Sequence, residues 1–301
     1  MKILVTGASG FLGMNLLQRL TQAHPDAALV AADLHPPDAE DVAFRALDVR
    51  DPRACFDVLA STRPTHIVHA AAVTLTEQTV AAAELTRSVN VRGTENLLRA
   101  ATAAGSVQRC LLLSSSGVYR QTCDGAVCDE DHPLDLGNAY AQSKRGAEVL
   151  MKLAARIGPV YGPFERTRVT RPRVSLIRRL MDSLKSGQAV RVAGTDFCRD
   201  WTHAADIAAA LDGLLFAPTL NHRIYNVSAG QPVSAREVLK LFTEQGLQVH
   251  WTSDQEADIV LDPRDSRKPL VIERLRRDTG FKPRFDFRAG LADVLAKEVT
   301  A

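Results

Sequence analysis

The chain begins with an apolar run, Lys2-Ile-Leu-Val-Thr6, that passes directly into Gly7-Ala-Ser-Gly10-Phe-Leu-Gly13 and then into a helical pattern. Three glycines spaced three apart between a strand and a helix constrain the fold more than any other feature. Positions without side chains let the backbone turn tightly and approach a ligand, and the helix N-terminus behind them favours an anion such as a pyrophosphate. Gly7, Gly10, Phe11, Leu12 and Gly13 are therefore candidate cofactor-binding residues. The bare trio would also suit a ligand-free turn, so its context matters.

That context is a βα alternation. Lys2–Val5, Ala28–Ala32, His66–His69 and Cys110–Leu113 read as short buried strands, separated by helical stretches at Phe11–Gln22, Pro52–Thr62 and Thr86–Gly105. Such alternation predicts a doubly wound parallel sheet, an α/β Rossmann architecture. The second half is less regular, with strands expected at Val190–Val192 and Ile224–Val227, a helix at Ala204–Leu215, and a capping box, Ser234-Ala-Arg-Glu237, opening a helix over Ala235–Glu244. We expect residues 1–165 and 196–228 to form the dinucleotide-binding domain. Residues 166–195 and 229–301 would form a smaller mixed substrate-binding domain.

Asp33 ends the second strand, 20 residues after Gly13, where a carboxylate would accept from ribose hydroxyls and repel a 2′-phosphate. Leu34, His35 and Pro36 follow it without an arginine, which favours NAD over NADP. Asp48-Val49 is placed to meet the adenine, although Asp48 could instead cap the next helix, a role for which Asp51 is better placed. Ala70, Ala71 and Ala72 would let a cofactor lie against the backbone. The preceding His69 reads as a satisfied core residue.

Tyr140-Ala-Gln-Ser-Lys144 places a tyrosine and a lysine one helical turn apart on one face. The pair follows Ser114-Ser115-Ser116, and the order of glycine loop, hydroxyl and Tyr/Lys pair describes a redox site on a dinucleotide fold. Together these residues resemble the extended short-chain dehydrogenase/reductases, in particular the NAD-dependent epimerase/dehydratase branch. The likeness covers nearly the whole chain: TGASGFLG at 6–13, Asp33, Asp48-Val49, HAAA at 69–72, NVRGTENLL at 90–98, SSSGVY at 114–119, YAQSK at 140–144, GPVYGP at 158–163 and RDWTHAAD at 199–206.

The resemblance implies roles for matched positions. Tyr140 would be the general acid/base, and Lys144 would hold the nicotinamide ribose and lower the tyrosine pKa. Ser115, 25 residues before Tyr140, would polarise the substrate, with Ser116 as the alternative. Asn90 would be the buried asparagine beside the active-site helix, and we count it among the cofactor-binding residues. Arg199 would contact a substrate diphosphate unless it pairs with Asp200 or Asp206, and Arg264 or Arg267, of which we select Arg267, would add a second clamp. The six arginines between Arg166 and Arg179 read as a solvated face, though an anionic substrate would find bidentate partners there. The family's pairing of helices such as Thr86–Gly105 and Ala139–Ala155 implies a homodimer.

Three departures from the family matter. Ser115 is followed by Ser116-Gly117, where dehydratases carry Asp-Glu and decarboxylases Glu, so elimination and decarboxylation lose support. Pro159 stands where the family often has a substrate-contacting asparagine. Third, a helix over Ala139–Ala155 would span ~25 Å away from the site, leaving only Arg156 and Ile157 to return before Gly158. We therefore expect either a much shortened helix or, preferentially, an omitted segment of about ten residues between Leu153 and Ile157, judged against ordinary strand and connection lengths.

A net charge of +2 gives no sequence-wide case for nucleic acid or a membrane surface, and no apolar run approaches the ~20 residues that span a bilayer. Five unpaired-looking cysteines, Cys55, Cys110, Cys123, Cys128 and Cys198, read as free thiols in a reducing cytoplasm, without a metal set. The expected activity is an NAD-dependent sugar-nucleotide epimerase. A net dehydrogenase or reductase of a sugar, sugar acid or small hydroxy compound is the alternative. A non-catalytic NAD sensor would have no need of the Ser/Tyr/Lys set.

Overall fold

The structure is a computed structural model and describes residues 1–39, 41–75, 79–120 and 127–299, with backbone alone at Val299. Cys123 lies outside the described residues; the four described cysteines are free thiols. In chain order the first half comprises β1 (Lys2–Thr6), α1 (Phe11–Ala23), β2 (Ala28–Asp33), β3 (Ala43–Ala46), α2 (Pro52–Thr62), β4 (His66–His69), α3 (Val80–Arg87), α4 (Gly93–Ala104), β5 (Arg109–Ser115), α5 (Ala139–Leu150) and β6 (Ala154–Ile157). The second half comprises β7 (Val160–Tyr161), α6 (Leu176–Ser186), β8 (Val190–Gly194), β9 (Cys198–Arg199), β10 (Thr202–His203), α7 (Ala204–Phe216), β11 (Ile224–Val227), β12 (Val233–Ser234), α8 (Ala235–Glu244), β13 (Val249–Trp251), β14 (Ile259–Leu261), α9 (Glu273–Thr279) and α10 (Phe287–Val299).

Seven parallel strands form the main sheet in the order β3-β2-β1-β4-β5-β6-β11. The order reverses between β1 and β4, so the loops leaving their C-terminal ends diverge and open a crevice there. One apolar cluster lies on the face covered by α1 and α7, and a second lies under α2 and α4. The smaller lobe has its own core, where α6 and α8 pack on the three-stranded parallel sheet β13-β8-β14. Ile272, Leu275 and Phe281 join the α1/α7 cluster, so the segment around α9 packs on the dinucleotide lobe although the chain pattern grouped it with the smaller one.

The cap signals act as expected. Asp51 accepts from the Arg53 and Ala54 amides to start α2, and Ser234 accepts from the Glu237 amide to start α8. The long helix expected from Thr86 begins earlier, at Val80, and is interrupted by a π-turn over Ser88–Arg92 that carries Asn90.

The largest correction concerns α5. It stops at Leu150 rather than Ala155, and Ala154–Ile157 is already the returning strand, paired with β5 and β11. Twelve residues of helix span only ~18 Å, which a short turn and strand can retrace. The described backbone runs through this turn, with Met151 N–H donating to the Glu148 carbonyl and Leu112 N–H to that of Leu153. No omitted segment is needed. Met151 and Leu153 turn inward and are buried. Glu148, on the last turn of α5, receives both Nε and Nη2 of Arg156 on β6 at 2.8 Å. That buried bidentate pair pins the helix end to the strand.

Candidate active site

The cofactor cradle is made first by backbone. Gly7 has φ +68°, and a Cβ there would lie 2.5 Å from the backbone of Ala70 and Ala71; one on Gly13 would lie 2.2 Å from the Gly7 carbonyl. Both glycines are thus required for loop and helix to pack. Gly10 is more open and forms the N-cap of α1 without a side-chain cap, leaving first-turn amides for a ligand anion. Asp33 accepts from the Ser9 and Leu34 amides at 3.0 and 2.7 Å, which fixes its carboxylate at the crevice wall.

Two adjoining cavities follow the C-terminal edge of the sheet. One, of about 270 Å³, is lined by Asp33, Asp48, Val49, Ala71 and Val89 among others. Asp48 is held by a bidentate Arg50, whose hydrogen bonds keep its carboxyl below the usual range. The other, of about 300 Å³, brings together Phe11, Leu12, Gly13, Ser115, Tyr140, Lys144 and Pro159. Gly7, Gly10, Ala70 and Ala72 line both.

Tyr140 sits in the first turn of α5, which is capped by the Asn138 side chain on the Ala141 amide. Ser115 ends β5; its hydroxyl accepts from Gly117 N–H at 3.0 Å and lies near enough to the Tyr140 phenol to favour its ionised form. Lys144 is buried, lies 5.9 Å from the centroid of the Tyr140 ring, and donates to the Leu113 carbonyl at 2.8 Å. Burial pulls Lys144 down to about 8, opposed by the Glu148 carboxylate. Burial also pushes Tyr140 above its ordinary value, while the Ser115 hydroxyl and the Arg171 charge pull it back. The expected net lowering of the phenol is therefore not present in the protein alone. The positive charge of a bound nicotinamide is the remaining ingredient that favours phenolate.

Other expected residues play different parts. Asn90 is buried and lines neither cavity. Its amide donates to the Val73 carbonyl and Ser143 hydroxyl and its oxygen accepts from the Val73 amide, so it braces the loop after β4 against α5. His69 is a satisfied core residue between Thr6 and Thr94. Ser116 is buried in the turn after Ser115 and lines neither cavity.

Arg199 also stands apart from both cavities, over the rings of Phe197 and Trp201 and paired with Asp265 rather than Asp200 or Asp206. Arg264 is exposed and paired with Asp262. Arg267 lies close enough to Arg199 for the two charges to oppose each other, and burial lowers both.

The solvated-face reading of the arginine run holds for only part of it. Arg178 pairs with Asp182 and Glu298, and Arg179 donates to the Asp258 carbonyl. Arg166, Arg168 and Arg171 instead line the cavity that contains Tyr140. Sequence reasoning allowed the run bidentate anion contacts but did not single these three out, because they act through a local hairpin, in which Arg168 and Arg171 exchange backbone hydrogen bonds. Charge density was the available signal; direction was not.

The sequence matches the model of the NAD dependent epimerase/dehydratase family over residues 3–228. The chain belongs to that family. It is 27% identical to the low-salt glycan biosynthesis protein Agl12 of Haloferax volcanii, over 97% of this chain and 96% of that one. It is also 27% identical to the GDP-6-deoxy-D-mannose reductase of Pseudomonas aeruginosa, over 98% and 96%. The solved structure of MoeE5 with UDP-glucose and NAD superposes with a TM-score of 0.83 at 26% identity, covering all of both chains. The cofactor of the family is NAD, and the cradle fits it: two glycines admit no Cβ, α1 carries no side-chain cap, and Asp33 is fixed at the crevice wall.

Proposed function

We propose that this family member is an NAD-dependent sugar-nucleotide epimerase working through Ser115, Tyr140 and Lys144. The observation that carries this reading is the lining of the cavity around Tyr140. Among its described lining residues there is no carboxylate or imidazole; beside Lys144, which donates to the Leu113 carbonyl, Tyr140 is the acid/base group on hand. Loss of water from a neighbouring carbon needs a second proton carrier. Here the residues after Ser115 are Ser116 and Gly117, and a Cβ on Gly117 would already lie 3.2 Å from the Ser115 hydroxyl.

NAD, when bound, would supply a reversible hydride acceptor, and epimerisation requires the hydride to come back on the opposite face of the oxidised carbon. Tyr140 takes the proton of the reacting hydroxyl and later restores it, Ser115 orients that oxygen, and Lys144 favours the phenolate by charge. Arg199 and Arg267 hold the diphosphate of the nucleotide sugar. We further propose a homodimer and a cytoplasmic location; among the described residues, no helix is long and apolar enough to cross a membrane.

The test is incubation of the purified protein with a panel of nucleotide sugars, following sugar stereochemistry and nicotinamide absorbance. The epimerase reading expects an isomerised sugar with no net absorbance change. A stoichiometric absorbance change would establish the alternative, a net dehydrogenase or reductase, which the full-length similarity to a reductase supports. Neither product, with a Tyr140→Phe variant unchanged in the cell, would point to a sensor.

A further inference from the structure

The six residues common to the two cavities mark the junction between the adenine side and the Tyr140 side: Gly7, Gly10, Ala70, Ala72, Arg168 and Thr170. Four belong to the glycine loop and the end of β4. The other two come from a hairpin of the smaller lobe, more than 90 residues away in sequence. That hairpin lies across the crevice and is tied to both of its banks. On the α1 bank, Asn15 donates to the Pro163 carbonyl at 3.0 Å, Arg171 covers the Phe11 ring at 5.0 Å, and Arg168 Nη2 donates to the Ser9 carbonyl. On the β4 bank, the Thr74 amide and hydroxyl both donate to the Thr170 carbonyl.

The charges of the hairpin are not equivalent. Arg166 pairs with Asp38, and Arg171 pairs with the buried Glu165, which also accepts from the Ser175 amide and hydroxyl. Arg168 forms no ion pair with a described carboxylate; among the described residues its guanidinium makes one hydrogen bond, to a backbone carbonyl of the glycine loop. A guanidinium has five donors in a fork suited to phosphate oxygens. Its position at the junction is also where a dinucleotide must place its phosphates, since adenine and nicotinamide occupy the two ends.

We propose that Arg168 is a pyrophosphate-binding residue and that the 165–175 hairpin is a clasp holding NAD in the crevice. This rests on NAD binding and not on the epimerase reading, so either can fail alone. The clasp complements a reaction in which the cofactor is restored at every turnover and need not leave.

The test is calorimetric titration of nucleotide-stripped protein with NAD, ADP-ribose and adenosine, comparing wild type with Arg168→Gln, Arg168→Lys and the hairpin control Arg173→Gln. Melting of each apo variant checks that it is folded. Losing a charge-assisted fork should weaken NAD and ADP-ribose by roughly ten- to hundredfold and leave adenosine unchanged. NAD binding to Arg168→Gln should also depend less on salt, and Arg168→Lys should fall between. NAD and ADP-ribose affinities of Arg168→Gln within twofold of wild type would overturn the assignment. So would equal weakening of adenosine, or an equal loss in Arg173→Gln, because either would mean that the hairpin shapes the crevice without meeting the phosphates.

Discussion

The two walls of the crevice are built on different physical grounds. On the glycine-loop wall, residue identity follows from the backbone: a Cβ on Gly7 or Gly13 would lie well inside van der Waals contact with the backbone of Ala70 and Ala71 or of Gly7 and Ala8. Spacing in sequence therefore is spacing in space. On the facing wall, Arg168 and Arg171 are exposed-type residues whose directions are set by the partners they find, the Ser9 carbonyl of the glycine loop and the buried Glu165 carboxylate. A backbone-dictated wall tolerates no substitution. A partner-dictated wall can be retuned one side chain at a time.

The sharpest way to separate the walls is at Tyr140, where they meet. Tyr140→Phe should cut turnover by about 10²–10⁴-fold, the span typical of a lost general acid/base, while leaving NAD affinity within about twofold by calorimetry. Weakened NAD binding instead would mean that the phenol belongs to the cradle. The next effect is structural and falls at the α5–β6 turn. Glu148→Gln leaves Arg156 buried without its carboxylate and should lower unfolding free energy by about 3–5 kcal/mol in denaturant titrations. A small effect would mean that the turn holds without the pair. Gly13→Ala should come third, losing about 3 kcal/mol of stability through overpacking. It should also lose NAD binding, because the first turn of α1 must move. Unchanged NAD affinity in that variant would break the contrast between the walls.

This contrast also explains what the sequence made legible. Glycines, caps and the Tyr140/Lys144 pair act through neighbours within a turn or two, so β1, α1, α2 and the start of α5 could be read from spacing. Asn90 was assigned to the cofactor because its company is right, yet both ends of its side chain are spent on Val73 and Ser143. The end of α5 carries no glycine or proline. Val149 and Leu150 continue an apolar pattern while partly exposed, and the stop is made by Glu148 meeting Arg156 eight residues on. The arginine run showed its charge but not which members find carboxylates. The segment around α9 joined the dinucleotide core through Ile272 and Leu275, a choice made by the surface of α7 and β11.

The smallest predicted effect tests the electrostatic side of the cradle. Lys144 is buried and pulled down to about 8 from an ordinary 10.5. Below about pH 8 the folded, cofactor-free protein therefore carries this charge at a cost that the unfolded chain avoids. Between about 8 and 10.5 the unfolded chain binds the extra proton, so this group makes stability rise with pH across that window. Lys144→Met removes the penalty and forfeits the hydrogen bond to the Leu113 carbonyl. The net expectation at pH 7 is an apo variant more stable by on the order of 1–3 kcal/mol, with a margin that shrinks as pH rises through 8 towards 10. Guanidinium unfolding of both apo proteins at pH 7 and pH 9.5 reads this directly. A variant less stable at pH 7, or a margin growing with pH, would mean that Glu148 and the Leu113 carbonyl already compensate the charge before any cofactor arrives.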